Sequence, residues 1–400
     1  MTSVERRILI LTSDAGLGHR AAAEALESAL RHAYGERSQI DVVNPLEDER
    51  VPAVLREVQS DYDEIVKQIP DLYKLGYQVS DAQLPVTVLE TALTVLLFGV
   101  LHDLVEQYRP HVIVATYPAY QAPLRALNAV HEKAVPLMTV VTDLVTVHQI
   151  WFNTGVNICV VPTEQAQQLA LESGMEACQV PVIGIPVDPQ IAAEERESRA
   201  IRRDLGWHPD LMTVLAVGSK RVSGLLDIVR GLNYTDLPLQ LILVAGGDDA
   251  LYEQFQEIEW HLPAQVYNFV DNLPAMMHAS NAILCKAGGL IVTEALACGL
   301  PLLLADVLPG QETGNAQYVI EGGGGVMAGD LLTALAEVHE WVHDKAVLAE
   351  RTRCARALGR PQAAQEIADL AWTLAGQAKQ VDAAERERMM ELLEQHGIAC

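Results

Sequence analysis

The chain is short of positive charge: 28 Lys and Arg stand against 53 Asp and Glu, a formal net charge of −25. The deficit runs along the whole length, with 13 basic against 27 acidic residues in 1–198 and 15 against 26 in the rest. Phosphate backbones demand a cationic footprint, so nucleic acid is excluded as the main ligand. A polybasic anchor on anionic lipid is excluded with it. The six cysteines, Cys159, Cys178, Cys285, Cys298, Cys354 and Cys400, are scattered and form no CxxC pair. They offer neither a zinc motif nor a disulfide framework, and reduced thiols in a cytoplasm fit them better. A secretory signal is not expected, because Arg6 and Arg7 precede only Ile8 to Leu11 before polar residues begin. Short-period repeats and low-complexity tracts are also missing.

What is present is a long, half-apolar chain of 400 residues, too large for one ordinary core. Its pattern is strand, glycine loop, helix: RILILT at Arg7 to Thr12, SDAGLGH at Ser13 to His19, then an alanine-rich helical stretch from Arg20 to Tyr34 and a second strand from Ile40 to Val43. This rhythm predicts a parallel sheet. Residues 46–108 read as helical, broken near Pro70 and Pro85. Further strands are predicted at His111 to Thr116, Leu137 to Thr142, Ile158 to Pro162 and Val180 to Ile183. The polar, charged stretch 188–204 marks a junction, after which the pattern restarts with strands at Met212 to Val217, Gln240 to Ala245, Gln265 to Tyr267, Ala282 to Cys285 and Leu302 to Ala305. The expected architecture is therefore α/β, with two Rossmann-like parallel-sheet domains over 1–195 and 196–375 and a helical tail over 376–400. Ligands in such sheets sit beyond the carboxyl ends of the strands, so a cleft between two lobes is the expected site. The final 70 residues read as helical, including one helix expected to pack back across the first domain.

One apolar run, VTVLETALTVLLFGVLHDL from Val86 to Leu104, is nearly long enough to span a bilayer but is interrupted or bounded by Glu90, His102 and Asp103. It reads either as a mostly buried helix or as a lipid-facing segment that dips into one leaflet.

Three constellations carry chemistry. The first is Asp14-Ala15-Gly16-Leu17-Gly18-His19-Arg20. Its glycines let the chain turn from a strand into a helix and bring backbone N–H groups toward a ligand. No Lys-Ser/Thr follows, so it is not a P-loop, and the third glycine of a dinucleotide fingerprint is missing. His19 is either a general base or a helix-start histidine that only hydrogen-bonds. The second is Thr142-Asp143 with His148 and Trp151. Asp143 is placed to orient His19, to contact an acceptor or to cap a turn; His148 and Trp151 line an acceptor pocket or simply pack. The third is Lys286-Ala287-Gly288-Gly289-Leu290 through Glu294-Ala295, followed by Pro309-Gly310-Gln311-Glu312 and Asn315. Gly288 and Gly289 open a helix to which a diphosphate can come close. Glu294 is suited to the two hydroxyls of a ribose, and Gln311 and Glu312 to sugar hydroxyls. The acidic pair Asp248-Asp249 lacks the DxD spacing of metal-dependent transferases and reads as a helix start.

These motifs resemble those of the inverting glycolipid-forming transferases of the GT-B fold: monogalactosyldiacylglycerol synthases and bacterial diacylglycerol glucosyltransferases, similar to glycosyltransferase family 28. The resemblance runs from residue 7 to about 375. It implies that Gly16 and Gly18 face the acceptor with His148 and Trp151, and that His19 is the base, with Asp143 beside it. It implies that Glu294 holds ribose, Gln311 and Glu312 hold the sugar within the segment that ends at Asn315, and backbone around Phe269 and Val270 reads uracil. The loop Val217 to Gly224 departs from the family's glycine-rich loop: after Gly218 it carries Lys220 and Arg221, which can neutralise a diphosphate or form a solvated turn. The implied reaction moves galactose or glucose from UDP-galactose or UDP-glucose to a diacylglycerol-type lipid, with no cofactor and no metal. It would take place on the cytoplasmic, inner face of a membrane, with the protein bound peripherally. The alternatives are a UDP-sugar transferase with another acceptor, a UDP-sugar epimerase, and an inactive UDP-sugar sensor.

Overall fold

The computed structural model describes residues 5–14, 17–53, 55–56, 83–131, 133–219, 224–308, 312–377 and 379–380. The chain divides into two compact units, residues 1–188 together with the returning segment from Gln362, and residues 189–361.

In the first unit β1 (Arg6–Leu11) leads to α1 (Leu17–Tyr34) and β2 (Ser38–Val43). Then come α2 (Gln83–Tyr108), β3 (Val112–Ala115), α3 (Gln121–Val130), the two-residue β4 (Lys133–Ala134), β5 (Leu137–Val140), β6 (Ile158–Val160) and α4 (Glu164–Glu172). The sheet is parallel, in the order β2-β1-β3-β5-β6. Its strands are apolar at successive positions because both faces are covered. Leu9, Leu11, Ile113 and Ala115 join one core with α2 and α3. Ile8, Ile10, Val112 and Val114 join the other, with α1 and the C-terminal helix. The predicted strand at Val180 to Ile183 is only a single bridge, Val161 to Val182.

The second unit runs α5 (Pro189–Ala193), α6 (Ser198–Asp204), β7 (Met212–Val217), α7 (Leu225–Asn233), β8 (Leu239–Val244), α8 (Asp249–Gln256), β9 (Ala264–Tyr267), α9 (Leu273–Ala279), β10 (Ala282–Lys286), α10 (Gly289–Ala297), β11 (Leu302–Asp306), α11 (Thr313–Glu321), β12 (Gly325–Met327), α12 (Leu331–His343) and α13 (Lys345–Leu358). Its sheet is also parallel, in the order β12-β11-β10-β7-β8-β9.

The chain then returns to the first unit with α14 (Ala363–Leu374) and β13 (Lys379–Gln380), which pairs antiparallel with β4. Small residues let α14 lie close on α1: Ala364, Ala368 and Ala371 meet Ala25, Ala29 and Leu30 in one core. Trp372 stacks on Tyr34 with ring centroids 4.3 Å apart, and the Arg6 guanidinium lies 4.4 Å from the Trp372 ring centroid.

The division at 195/196 and 375/376 read from the sequence differs from this arrangement. The second unit begins at Pro189, because α5 packs on α9 and α10: Ile191 is buried there and its carbonyl lies 3.0 Å from His278 Nε2. Residues of α14 belong with the first unit.

The apolar run forms the middle of α2. One face buries Leu93, Leu97, Phe98, Val100, Leu101 and Val105, worth about 1.5–3 kcal/mol per large side chain. The other face leaves Val88, Val95 and Leu96 exposed. Among the described residues this is the one helix long and apolar enough to cross a membrane, with a third of the apolar window buried inside the protein. The run is thus more open than a mostly buried helix, and the face with Val88, Val95 and Leu96 is the part left exposed.

Candidate active-site residues in each unit

In the first unit the candidate residues gather at the carboxyl ends of β1, β3 and β5, three neighbouring strands. Asp14 holds the loop after β1: it accepts from Arg20 Nε at 2.8 Å and Nη2 at 2.9 Å, and from Asn44 Nδ2 at 3.0 Å. The Arg20 guanidinium holds the Asp14 carboxyl below its usual range, with burial opposing. His19 stands in the first turn of α1. A Cβ at the adjacent Gly18 would meet nothing within 4 Å, so that backbone is open. Gly16 lies outside the described residues.

The ring of His19 is oriented by strand ends. Its Nδ1 lies 2.9 Å from the Thr116 carbonyl and 2.7 Å from Thr142 Oγ1. A carbonyl only accepts, so Nδ1 carries the proton and the lone pair sits on Nε2. Thr116 also bonds the histidine's own carbonyl through Oγ1 at 3.1 Å, and Thr12 Oγ1 at 3.0 Å. Tyr117 meets the ring edge-on at 5.0 Å and Trp151 lies 6.0 Å from it. Loss of solvent pushes the His19 pKa down to about 4, with the Thr116 carbonyl opposing. The ring is neutral at pH 7, as a proton acceptor must be.

Asp143 accepts from Trp151 Nε1 at 2.7 Å. Thr116 and Thr142 hold His19, and burial and then the Asp143 charge raise the pKa of Tyr117 beside the histidine. His148 is buried and accepts from Ile150 N at 3.1 Å, capping the turn Gln149–Trp151. Trp151 is 1% exposed and belongs to the core. Both side chains are buried, and Trp151 stands between His19 and Asp143. The sequence reading missed Thr116, Tyr117 and Thr12; their one signal was position, at the ends of predicted strands.

In the second unit the candidate residues follow β7, β9, β10 and β11. Lys286 ends β10, at an irregularity in its register with β11. Gly288 is the N-cap of α10 and, as glycine, offers no side chain to cap the first-turn N–H groups. A Cβ there would lie 3.1 Å from Lys286 Cε and 3.5 Å from Glu312 Oε1. Lys286 Nζ pairs with Glu312 Oε1, and Glu312 Oε2 accepts from Leu308 N at 3.0 Å. Both carboxylate oxygens of Glu312, read from sequence as sugar-binding, are thus engaged within the turn. Asn315 donates to the Ala287 carbonyl at 3.0 Å, and its buried Oδ1 has no partner among the described residues. The Gly289 N–H lies in the first turn of α10 and Glu294 on its sixth residue.

Gly218 follows β7 in close contact with α8: a Cβ there would come within 2.3 Å of the Leu251 side-chain methyl, which would have to move aside. Phe269, just past β9, is 66% exposed, with Val270 half-buried next to it. Asp248 caps α8, accepting from Leu251 N at 3.2 Å, and Asp249 accepts from Asn268 Nδ2 at 2.7 Å, so both act locally as a helix start. Lys220, Arg221 and Gln311 lie outside the described residues.

Residues 19–187 match the family described as monogalactosyldiacylglycerol (MGDG) synthase, and residues 213–367 match the glycosyltransferase family 28 C-terminal domain. The probable monogalactosyldiacylglycerol synthase 2, chloroplastic, of Oryza sativa subsp. indica is 32% identical over 354 residues, covering 85% of this chain and 74% of that protein. Monogalactosyldiacylglycerol synthase 2, chloroplastic, of Arabidopsis thaliana is 30% identical over 373 residues, covering 90% of this chain and 79% of that protein. Among solved structures, Acinetobacter baumannii MurG has a TM-score of 0.58 at 14% identity, covering 92% of this chain and 99% of that one. The calicheamicin glycosyltransferase CalG4 has a TM-score of 0.56 at 17% identity, covering 93% and 99%. At such identities these two show the fold alone, the GT-B pair of Rossmann-like domains. Matched at its head by one glycolipid-synthase family and at its tail by a family 28 domain, and about a third identical to plant synthases over most of its length, the chain belongs to the monogalactosyldiacylglycerol synthase family of glycosyltransferases.

Proposed function

We propose that the protein transfers a hexose from a UDP-sugar to the hydroxyl of a diacylglycerol-type lipid in one inverting displacement, with His19 as general base. The observation that carries this reading is the neutral His19, its Nδ1 proton committed to the Thr116 carbonyl and its Nε2 lone pair left to accept a proton. Nε2 takes the acceptor's proton as the oxygen attacks the anomeric carbon. The carbon–oxygen bond to UDP breaks, and the electron pair leaves on the diphosphate. N–H groups at the start of α10 offset that charge, aided by Lys286 once the diphosphate competes with Glu312 for it. No metal or cofactor enters this scheme.

A lipid acceptor is favoured by the outward apolar face of α2, with Val88 71% and Val95 and Leu96 each 40% exposed. Such a face can bind a membrane surface without the basic residues the chain lacks. Galactose is favoured over glucose by the names of the relatives. Binding is then peripheral, on the inner face of a membrane. UDP release separates the readings when measured with UDP-galactose, with and without diacylglycerol. Lipid-dependent release is expected. Lipid-independent epimerisation, or no release at all with either sugar, would overturn the proposal in favour of an epimerase or a sensor.

A further inference from the structure

We propose that His102, Glu106 and His131 form a binding site for one divalent transition metal of the zinc class, clamping α2 to the end of α3. This site lies apart from the residues around His19 and takes no part in the transfer. His102 and Glu106 are four residues apart on α2 and so share one face. His131 follows α3 as its C-cap, with its N–H bonded to the Leu127 carbonyl at 3.3 Å. One ligand atom from each of the three residues lies within 4.8 Å of the other two. A metal about 2.1 Å from each donor needs donor pairs about 3.4 Å apart. Small side-chain rotations close that gap, since Glu106 is exposed and both histidines are only partly buried.

A second feature points the same way. Metal-bound histidines characteristically give their other ring nitrogen to a carboxylate, which fixes the tautomer. His102 Nδ1 lies 3.3 Å from Asp103 Oδ1, which leaves Nε2 to offer its lone pair. Asp103 is held in turn by Arg50 Nη1 at 2.6 Å, and Arg50 by Asp48. The His102 ring also lies nearly parallel to Phe98, with centroids 6.5 Å apart, on the packed side of α2. Two imidazoles and one carboxylate suit zinc, copper or nickel over magnesium or calcium, which prefer all-oxygen sets. The partial exposure leaves positions for water, so the site is a clamp on α2, the helix that carries the outward apolar face.

The test uses the full chain, stripped with EDTA and desalted. Zn²⁺ is titrated by calorimetry, and Co²⁺ serves as a spectroscopic probe of nitrogen and oxygen ligands. One metal per chain is expected. His131→Gln and Glu106→Gln should each weaken binding by at least about tenfold, since even partners of the ligands cost 10–100-fold. Asp103→Asn should weaken it by about tenfold. His339→Gln, on the exposed histidine pair of α12, should leave binding unchanged. Glu106 is exposed, so its variant folds whether or not the His131 variant does. Unchanged affinity in Glu106→Gln, or no metal uptake by the wild type at millimolar Zn²⁺, would overturn the proposal.

Discussion

Replacing His19 with Gln removes a base and tests its microenvironment at once. General-base catalysis contributes about 10²–10⁴-fold, or about 2.7–5.4 kcal/mol of transition-state stabilisation. Turnover with a lipid acceptor should fall by that amount, while UDP affinity, which the proposed function assigns to the second unit, should change little. The wild-type enzyme carries a further signature. With its pKa at about 4, His19 is neutral throughout the neutral and mildly acidic range, so the acid limb of kcat/KM assigned to it should lie near 4 and not near 6.5. Stability follows the same shift. The folded pKa is below the unfolded one, so between about pH 6.5 and 4 the unfolded chain binds more protons, and stability falls as pH falls through that window. The span is worth about 3 kcal/mol at one unit per 1.36 kcal/mol, a ceiling because part of the residue stays open to water. Urea unfolding of wild type and His19→Gln at pH 7 and pH 5 isolates this term as the difference between the two proteins. A limb near 6.5, or a variant retaining turnover within tenfold of wild type, would refute the reasoning.

Three further outcomes follow from the packing. Gly288→Ala sets a methyl group 3.1 Å from Lys286 Cε and beside Glu312, so UDP affinity by calorimetry should drop by about tenfold or more while the fold stays intact. Glu312→Gln leaves Lys286 charged without its partner, and denaturant unfolding should report about 1–3 kcal/mol lost from the second unit. Leu97→Ala empties a fully buried position on α2 and should cost about 2–5 kcal/mol in the first unit, whereas Val88→Ala on the outward face should cost little stability yet weaken vesicle binding in flotation.

Much of this was legible in the sequence. The apolar strands are continuous hydrophobic runs because helices cover both sheet faces, and the glycines at Gly18 and Gly288 mark the turns from strand into helix at β1 and β10. Thr116 was not legible, because a threonine at a strand end has no motif, and its role comes only from β3 lying beside β1. Glu312 was read through its chemistry as a sugar ligand, but its pairing with Lys286 depends on β10 and β11 being neighbours. Hydropathy described the run in α2 without distinguishing Leu93, Leu97 and Leu101, which face the core, from Val88 and Val95, which do not. The boundary near 189 is set by Ile191, which is buried in the second unit against His278 and which a charged stretch conceals when read as a linker. The return of a C-terminal helix to the first unit is expected from the sequence, but its contacts, such as Trp372 on Tyr34, are set by tertiary packing that no local pattern reveals.

The stereochemistry of the product tests a single inverting displacement most directly. Purified protein incubated with isotopically labelled UDP-galactose and diacylglycerol should yield a monohexosyl lipid by mass spectrometry, with the anomeric coupling constant in NMR showing the β configuration, opposite to that of the α-linked donor. An α-linked lipid, or no lipid product while UDP-galactose binds normally, would contradict a single displacement driven by His19.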